Sequence, residues 1–354
     1  MNRPLRFVAA ACGLLCLAAG AQAQTALPAS NVKLYGLIDM SVGRFQDPGG
    51  PRTYRADSGS MTTSYLGFNG VEDLGGGLQA RFALEAFHRT DTGISGRFIG
   101  DPFFARNAFV GLSGAFGTTQ IGRNTTPLFV STLAFNAFGD SFGFSPSIRQ
   151  YFTAPSLPAG GTPTAAVGDT GWSNSLLYTN KIGGLSFTLL GNAGEGAANA
   201  VGRNISASAT YFSGPFGVTV VGQQVKNGYV AAALPGFQKQ DTYQVGGSYD
   251  FNVAKVFAQY GEVRTHSTSA VIEAKSKISG LGLAVPIGAG KILGQIGYSK
   301  TSGPVNSGSL RTASVGYDYN LSKNTDVYAV YMNERASYVS PTGNTVAAGI
   351  RLRF

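Results

Sequence analysis

The sequence predicts an all-β chain, a sixteen-stranded antiparallel transmembrane β-barrel with a long third loop folded into the pore. Three features carry this reading. The C-terminal segment alternates strictly, short turns recur at a near-constant step, and one step is far longer than the others.

In residues 344–354 (NTVAAGIRLRF), Val346, Ala348, Ile350, Leu352 and Phe354 share one face; Thr345, Ala347, Gly349, Arg351 and Arg353 share the other. Successive strand side chains point to opposite faces. One face is wholly apolar and the other ends on two arginines. Lipid outside and water inside demand that split. A soluble barrel or sandwich explains the alternation, but not the terminal aromatic together with the leader and the strand count.

The chain opens with Arg3 and Arg6, an apolar run over 7–20, and Ala21-Gln22-Ala23. Charged, apolar, then small-x-small reads as a secretory signal peptide at 1–23, leaving 24–354 as the barrel domain. Too little apolar sequence precedes Cys12 for a lipoprotein leader. The apolar run is also too short to span a bilayer as a helix, and no later stretch is long enough. Cys12 and Cys16 both fall in the leader, so no disulfide framework or thiolate metal site is expected. Fifty glycines and sixteen tyrosines against four methionines favour strands and turns over helices. Removing Arg3 and Arg6 lowers the formal charge from +9 to +7. The basic residues stand singly on alternating strands, so they read as charge scattered along a lumen. No nucleic-acid partner is expected.

Turn signals rich in Gly, Pro, Asn and Asp lie at 72–77 (EDLGGG), 114–118 (GAFGT), 180–184 (NKIGG), 213–217 (SGPFG), 250–255 (DFNVAK), 286–291 (PIGAGK) and 320–325 (NLSKNT). Their starts are separated by 42, 66, 33, 37, 36 and 34 residues. A step of roughly 35 accommodates two strands of about ten residues, a short turn and a longer loop, the repeat of an outer-membrane barrel. Seven turns join fourteen strands, and flanking strands at 32–43 and 344–354 bring the count to sixteen. Sixteen is even, and barrels of that size leave an aqueous channel. Tyr249, Phe251, Tyr317, Tyr319 and Phe354 fall beside short turns or the terminus, where an interfacial aromatic girdle belongs.

The step of 66 places a surplus of about thirty residues, by comparison with its neighbours, between 122 and 171. This segment is rich in Phe, Ser, Pro and Gly and holds Phe129, Phe135, Phe138, Phe142, Phe144 and Phe152. Disordered segments are poor in such residues. An apolar loop needs a surface, and the inner wall supplies one. The constriction loop is expected over about 123–171.

Several stretches resemble the general porins of beta-proteobacteria and Neisseria. They are VKLYGLIDMSVG at 32–43, LGFNGVEDLGGGLQARFALE at 66–85, AFVGLSGAFGTTQIGRNTTPL at 108–128, NSLLY at 174–178, and the terminal RLRF. The resemblance covers essentially the whole mature chain. It implies a homotrimer in the outer membrane, with outer-membrane lipid, lipopolysaccharide and the barrel assembly machinery as partners. In that family the third loop forms the constriction, facing a cluster of wall arginines. Arg106 and Arg123 match two basic positions of that eyelet. Tyr65 and Leu177 stand where arginine is usual, and Asp140 and Asp169 are the acids between 122 and 171. The transverse field should therefore be weaker than the family's norm.

The expected pore constriction comprises Arg106, Arg123, Arg81, Tyr65 and Asp140. Arg351, Arg353 and Arg149 are expected to contribute to the field. Arg81 shares a face with Gln79 and Glu85, which puts it in the lumen, where Glu85 offsets it locally. Arg106 shares parity with outward-reading Ala108, Val110 and Leu112. Its lumen placement rests on the resemblance. Phe354 is expected to anchor the closing strand and to act in assembly.

The function implied is passive diffusion of small hydrophilic solutes, with size exclusion and moderate anion preference set by ring charges. No reaction and no cofactor are implied. An outer-membrane hydrolase would need a nucleophile and base in one site, and His88 and His266 both read as surface residues near loops. A substrate-specific channel is the closer rival, given Tyr65, Trp172 and the Phe-rich loop.

Overall fold

A computed structural model describes residues 31–153, 166–192, 203–226, 236–305 and 307–354. The expected leader at 1–23 and part of the third loop lie outside the described residues. The strands are β1 Lys33–Phe45, β2 Thr53–Ser58, β3 Tyr65–Gly75, β4 Leu78–Arg89, β5 Ile94–Ser95, β6 Asn107–Gly114, β7 Gly117–Thr125, β8 Gly171–Ile182 and β9 Leu185–Asn192. They continue with β10 Asn204–Ser213, β11 Phe216–Lys226, β12 Phe237–Asp250, β13 Lys255–Ser267, β14 Ala274–Ile287, β15 Gly290–Ser302, β16 Ser307–Asn320, β17 Thr325–Ala336 and β18 Gly343–Arg353.

Each barrel strand pairs antiparallel with its neighbours, and β1 pairs with β18 from Leu37↔Arg353 to Arg44↔Val346. The sheet thereby closes and has no free edge. β2 and β3 occupy one lane, since both pair with β1. β5 is a two-residue flap on β4. Sixteen lanes remain, as the turn spacing predicts.

Alternation sorts the two faces. Val42, Val110, Ile121, Leu176, Val220, Val245, Leu281, Ile296, Val315 and Val346 are exposed on the outside. Their neighbours Ser41, Thr219, Gln244, Gln295 and Ser314 are buried on the inside. This is the inverse of a soluble protein, as lipid contact requires. Tyr249 and Phe251, and Tyr317 and Tyr319, pack as exposed pairs beside short turns.

Closure is finished by the terminal residue. The Gly36 amide donates to the Phe354 carbonyl at 3.0 Å, and the Phe354 amide donates to the Gly36 carbonyl at 3.2 Å. The Phe354 ring lies over Gly36, where a Cβ would come within 2.7 Å of it. Glycine at 36 is therefore a steric requirement of that contact.

Two local features are absent from the sequence-level expectation. The lane shared by β2 and β3 is interrupted at 59–64. There the Met61 and Thr62 amides donate to the Asp39 carboxylate at 2.6 and 2.8 Å. The third loop also begins with a helix, α1 Pro127–Ala134. Thr126 caps it by accepting from the Phe129 amide, and Pro127 stands in its first turn, where a missing N–H costs nothing.

Candidate pore constriction

The third loop packs against residues of the inner face. Ser131 Oγ donates to Gln244, the Gln259 side chain donates to the Thr132 carbonyl at 2.8 Å, and Gln295 accepts from the Ala137 amide at 3.1 Å. Ser314 donates to the Phe144 carbonyl at 2.7 Å, and Gln150 donates to Thr312 at 3.0 Å. These hydrogen bonds run from β12 to β16, and ring contacts with Phe212 and Tyr328 extend the seat to β10 and β17. Glycines make the approach possible. A Cβ at Gly246 would meet Phe135 at 3.0 Å, and one at Gly297 would meet Pro146 at 3.0 Å.

The six loop phenylalanines divide into two groups. Phe135, Phe138 and Phe144 are buried against the wall. Phe135 stacks on Phe212 with centroids 5.6 Å apart, and Phe144 meets Tyr328 edge-on at 6.0 Å. Phe142 and Phe152 both pack on Phe129, with centroids 5.8 and 5.4 Å away. The interrupted lane grips the loop from the other side. The Ser60 carbonyl accepts from the Gly143 amide at 3.0 Å and from Ser141 Oγ at 2.8 Å.

Arg106 sits in a bend just before β6, so strand parity does not govern it. Its guanidinium pairs with Glu85 and lies 4.1 Å from the centroid of the Tyr65 ring. Glu85 also accepts from Tyr35 at 2.6 Å and from Asn107. Tyr65, Arg106 and Glu85 thus form one cluster on the inner wall.

Asp140, at the loop tip, accepts from Thr62 Oγ1 at 3.1 Å. Burial pushes its carboxyl above the usual range, against that hydrogen bond and the charges of Arg106 and Arg351. Arg351 donates to Thr62 at 3.1 Å and is also held by Asp326 and Asp318. Arg353 pairs with Asp326 as well. Arg81 donates to Ser113 at 3.3 Å and forms no ion pair among the described residues.

Arg123 is 7% exposed, and its guanidinium is fully engaged. It donates to the Ala105 carbonyl, to Ser173 at 3.0 Å and to Asp169 at 2.6 Å. Asp169 also accepts two hydrogen bonds from Arg97, which pairs with Asp101. The second loop is thereby clipped to the end of the third. Burial raises the Asp169 carboxyl, but the hydrogen bonds and charges of Arg97 and Arg123 outweigh it and hold it below the usual carboxylate range. Arg149 docks on the buried Glu334 and on Asp47. Arg97 escaped sequence reasoning, because nothing local marks an exposed-loop arginine as the partner of an acid 72 residues away.

A closed sixteen-lane barrel, apolar outside and polar inside, with a loop packed on its inner wall, defines the class of outer-membrane channel barrels. The chain belongs to the Gram-negative porin family, whose model matches residues 8–337. It is 28% identical over 350 residues to outer membrane porin protein 32 of Delftia acidovorans, covering 95% of this chain and 93% of that protein. An outer membrane porin of Bordetella pertussis is 27% identical, with 98% of each chain covered. The anion-selective porin of Comamonas acidovorans superposes with a TM-score of 0.76 at 25% identity, over 92% of this chain and 100% of that one. OmpT of Vibrio cholerae, in a variant lacking one loop, shares the fold at 16% identity with a TM-score of 0.71. The protein resides in the outer membrane and is a channel rather than an enzyme.

Proposed function

We propose that the chain is a passive diffusion channel for small hydrophilic solutes and ions, narrowed by its third loop and moderately anion-selective. The carrying observation is the charge balance of the inner wall. Glu85, Glu334, Asp318 and Asp326 each face an arginine, while Arg81 faces none of the described acids. The paired charges weaken the field, and Arg81 adds a cation without an acid partner, against Asp140 on the loop. Likeness to an anion-selective porin supports the same sign.

In this reading Arg106, Tyr65 and Asp140 line the eyelet, with Arg81 nearby. Arg123 serves it indirectly, by fixing where the loop ends. The leader at 1–23 is removed on export. The working unit is a homotrimer, in contact with lipopolysaccharide and assembled by the barrel assembly machinery, which reads Phe354. A trimer form of Vibrio cholerae OmpT with the same fold supports the oligomer. Single-channel recording in a planar bilayer under a KCl gradient tests pore, size and sign together. A current that fails to appear, or a cation-selective one, overturns the reading.

A further inference from the structure

The outer face carries a cluster of cations that the pore does not use. On β14 to β17, Lys277, Lys300, Arg311 and Arg335 are exposed, and each has fully buried inward neighbours: Ile278, Ser299 and Thr301, Leu310 and Thr312, Glu334 and Ala336. Their parity therefore points them outward. All four lie toward the loop ends of their strands, away from the short turns.

Register brings like charges together. Lys277 is directly opposite Lys300, and Arg311 is directly opposite Arg335. Like charges in that position destabilise a sheet. Next to them, Arg264 is opposite Lys275, but there Glu262 pairs with both. Lys277, Lys300, Arg311 and Arg335 form no ion pair among the described residues. Anions from outside the chain would relieve a repulsive outward array of this kind.

The level of the array identifies those anions. Tyr298 is opposite Arg311 and lies two residues closer to the barrel's middle than Lys300. Tyr298, Tyr260 and Tyr331 are exposed on the outside, as interfacial aromatics are. The four cations begin at that level and extend outward, and their long stems allow the charged ends to reach the head-group layer.

We propose that Lys277, Lys300, Arg311 and Arg335 bind the phosphorylated head group of an outer-leaflet lipid. The proposal rests on the outer-membrane reading and names the surface that would make the lipopolysaccharide contact. It does not depend on conduction. A second copy of this chain is the poorer occupant, because it would bring no described acid-rich outer face to meet the array.

The test is equilibrium binding of fluorescent diphosphorylated lipid A to the folded full-length barrel in neutral detergent. Wild type should bind saturably and lose affinity as salt rises. Each Lys→Gln or Arg→Gln change should weaken binding about fivefold, and all four together more than about a hundredfold. Lys277→Arg with Lys300→Arg should keep the affinity, as should Lys323→Gln in a short turn at the opposite end. Heat-modifiability on a gel verifies that each variant is folded. Unchanged affinity in the fourfold variant overturns the proposal. So does equal binding of dephosphorylated lipid A, complete competition by equimolar inorganic phosphate, or loss of the oligomer in the fourfold variant. A wild type that binds lipid A without conducting would overturn the channel reading and leave this one standing.

Discussion

Arg106 joins Glu85 and Tyr65 in a single contact set. Arg106→Ala should shift the reversal potential toward cations, since Glu85 then faces the lumen without its counter-charge. Leaving that buried carboxylate underpaired should cost about 1–3 kcal/mol, read as a lower unfolding temperature. Adding Glu85→Gln should reverse most of the selectivity change; an unchanged potential in the single variant would mean that Arg106 does not face the ion path. At the terminus, deleting Phe354 should lower folded yield more than Phe251→Ala does, because it removes two backbone hydrogen bonds at the seam. Equal yields would remove the assembly role. Phe251 serves as the reference because it is an exposed aromatic beside a short turn. Parity alone assigns Arg81 to the inner face. Arg106 was not legible that way, because it precedes its strand and parity has no hold on a bend. The engagement of Arg123 was hidden because two of its partners, Ser173 and Asp169, lie 50 and 46 residues further along the chain.

The third loop is an element that borrows its stability from the wall. Gly297→Leu together with Gly282→Leu should press on Pro146 and Ala137, which already stand at 3.0 and 3.3 Å from the ideal Cβ positions. The loop should lift, and single-channel conductance should rise on the order of twofold; no change would mean that the loop does not set the bore. Acid should loosen the far end of the loop. Asp169 is held below the ordinary carboxylate range, so its contribution is complete above that range and is lost as pH falls through the depressed value. Current fluctuations should therefore increase below about pH 4. Asp169→Asn should show them already at neutral pH, because the clip to Arg97 and Arg123 is then uncharged. Asparagine also tolerates the positive φ of 62° at this position. The loop's existence was readable from one long step and six phenylalanines. Its helix was not, because eight residues offer little periodicity to detect. The break at 59–64 was equally hidden, since SGSMTTS reads as ordinary loop sequence.

For the whole molecule, the strand count was legible because each hairpin repeats the same composition cue at the same interval. The inside and outside were legible because lipid and water impose opposite demands on alternate residues. Oligomeric state has no such repeating signal. Unboiled protein should run as a large species on a detergent gel and collapse on boiling to slightly below the 36.7 kDa of the full chain. A monomer-sized unboiled band would rule out a stable trimer. Asp39 bears on the order in which this barrel is made. It accepts from Met61 and Thr62 of the interrupted lane and from Tyr328 at 2.7 Å, 289 residues away. Tyr328 reaches it by passing over Gly349, where a Cβ would stand 2.4 Å from the ring, and Phe144 of the third loop rests against the same ring. First strand, penultimate strand and last strand therefore meet beneath the loop. The loop's seat is incomplete until the two ends of the chain have found each other. In the proposed reading, in which the loop narrows the bore, the constriction is complete only once the cylinder has been sealed.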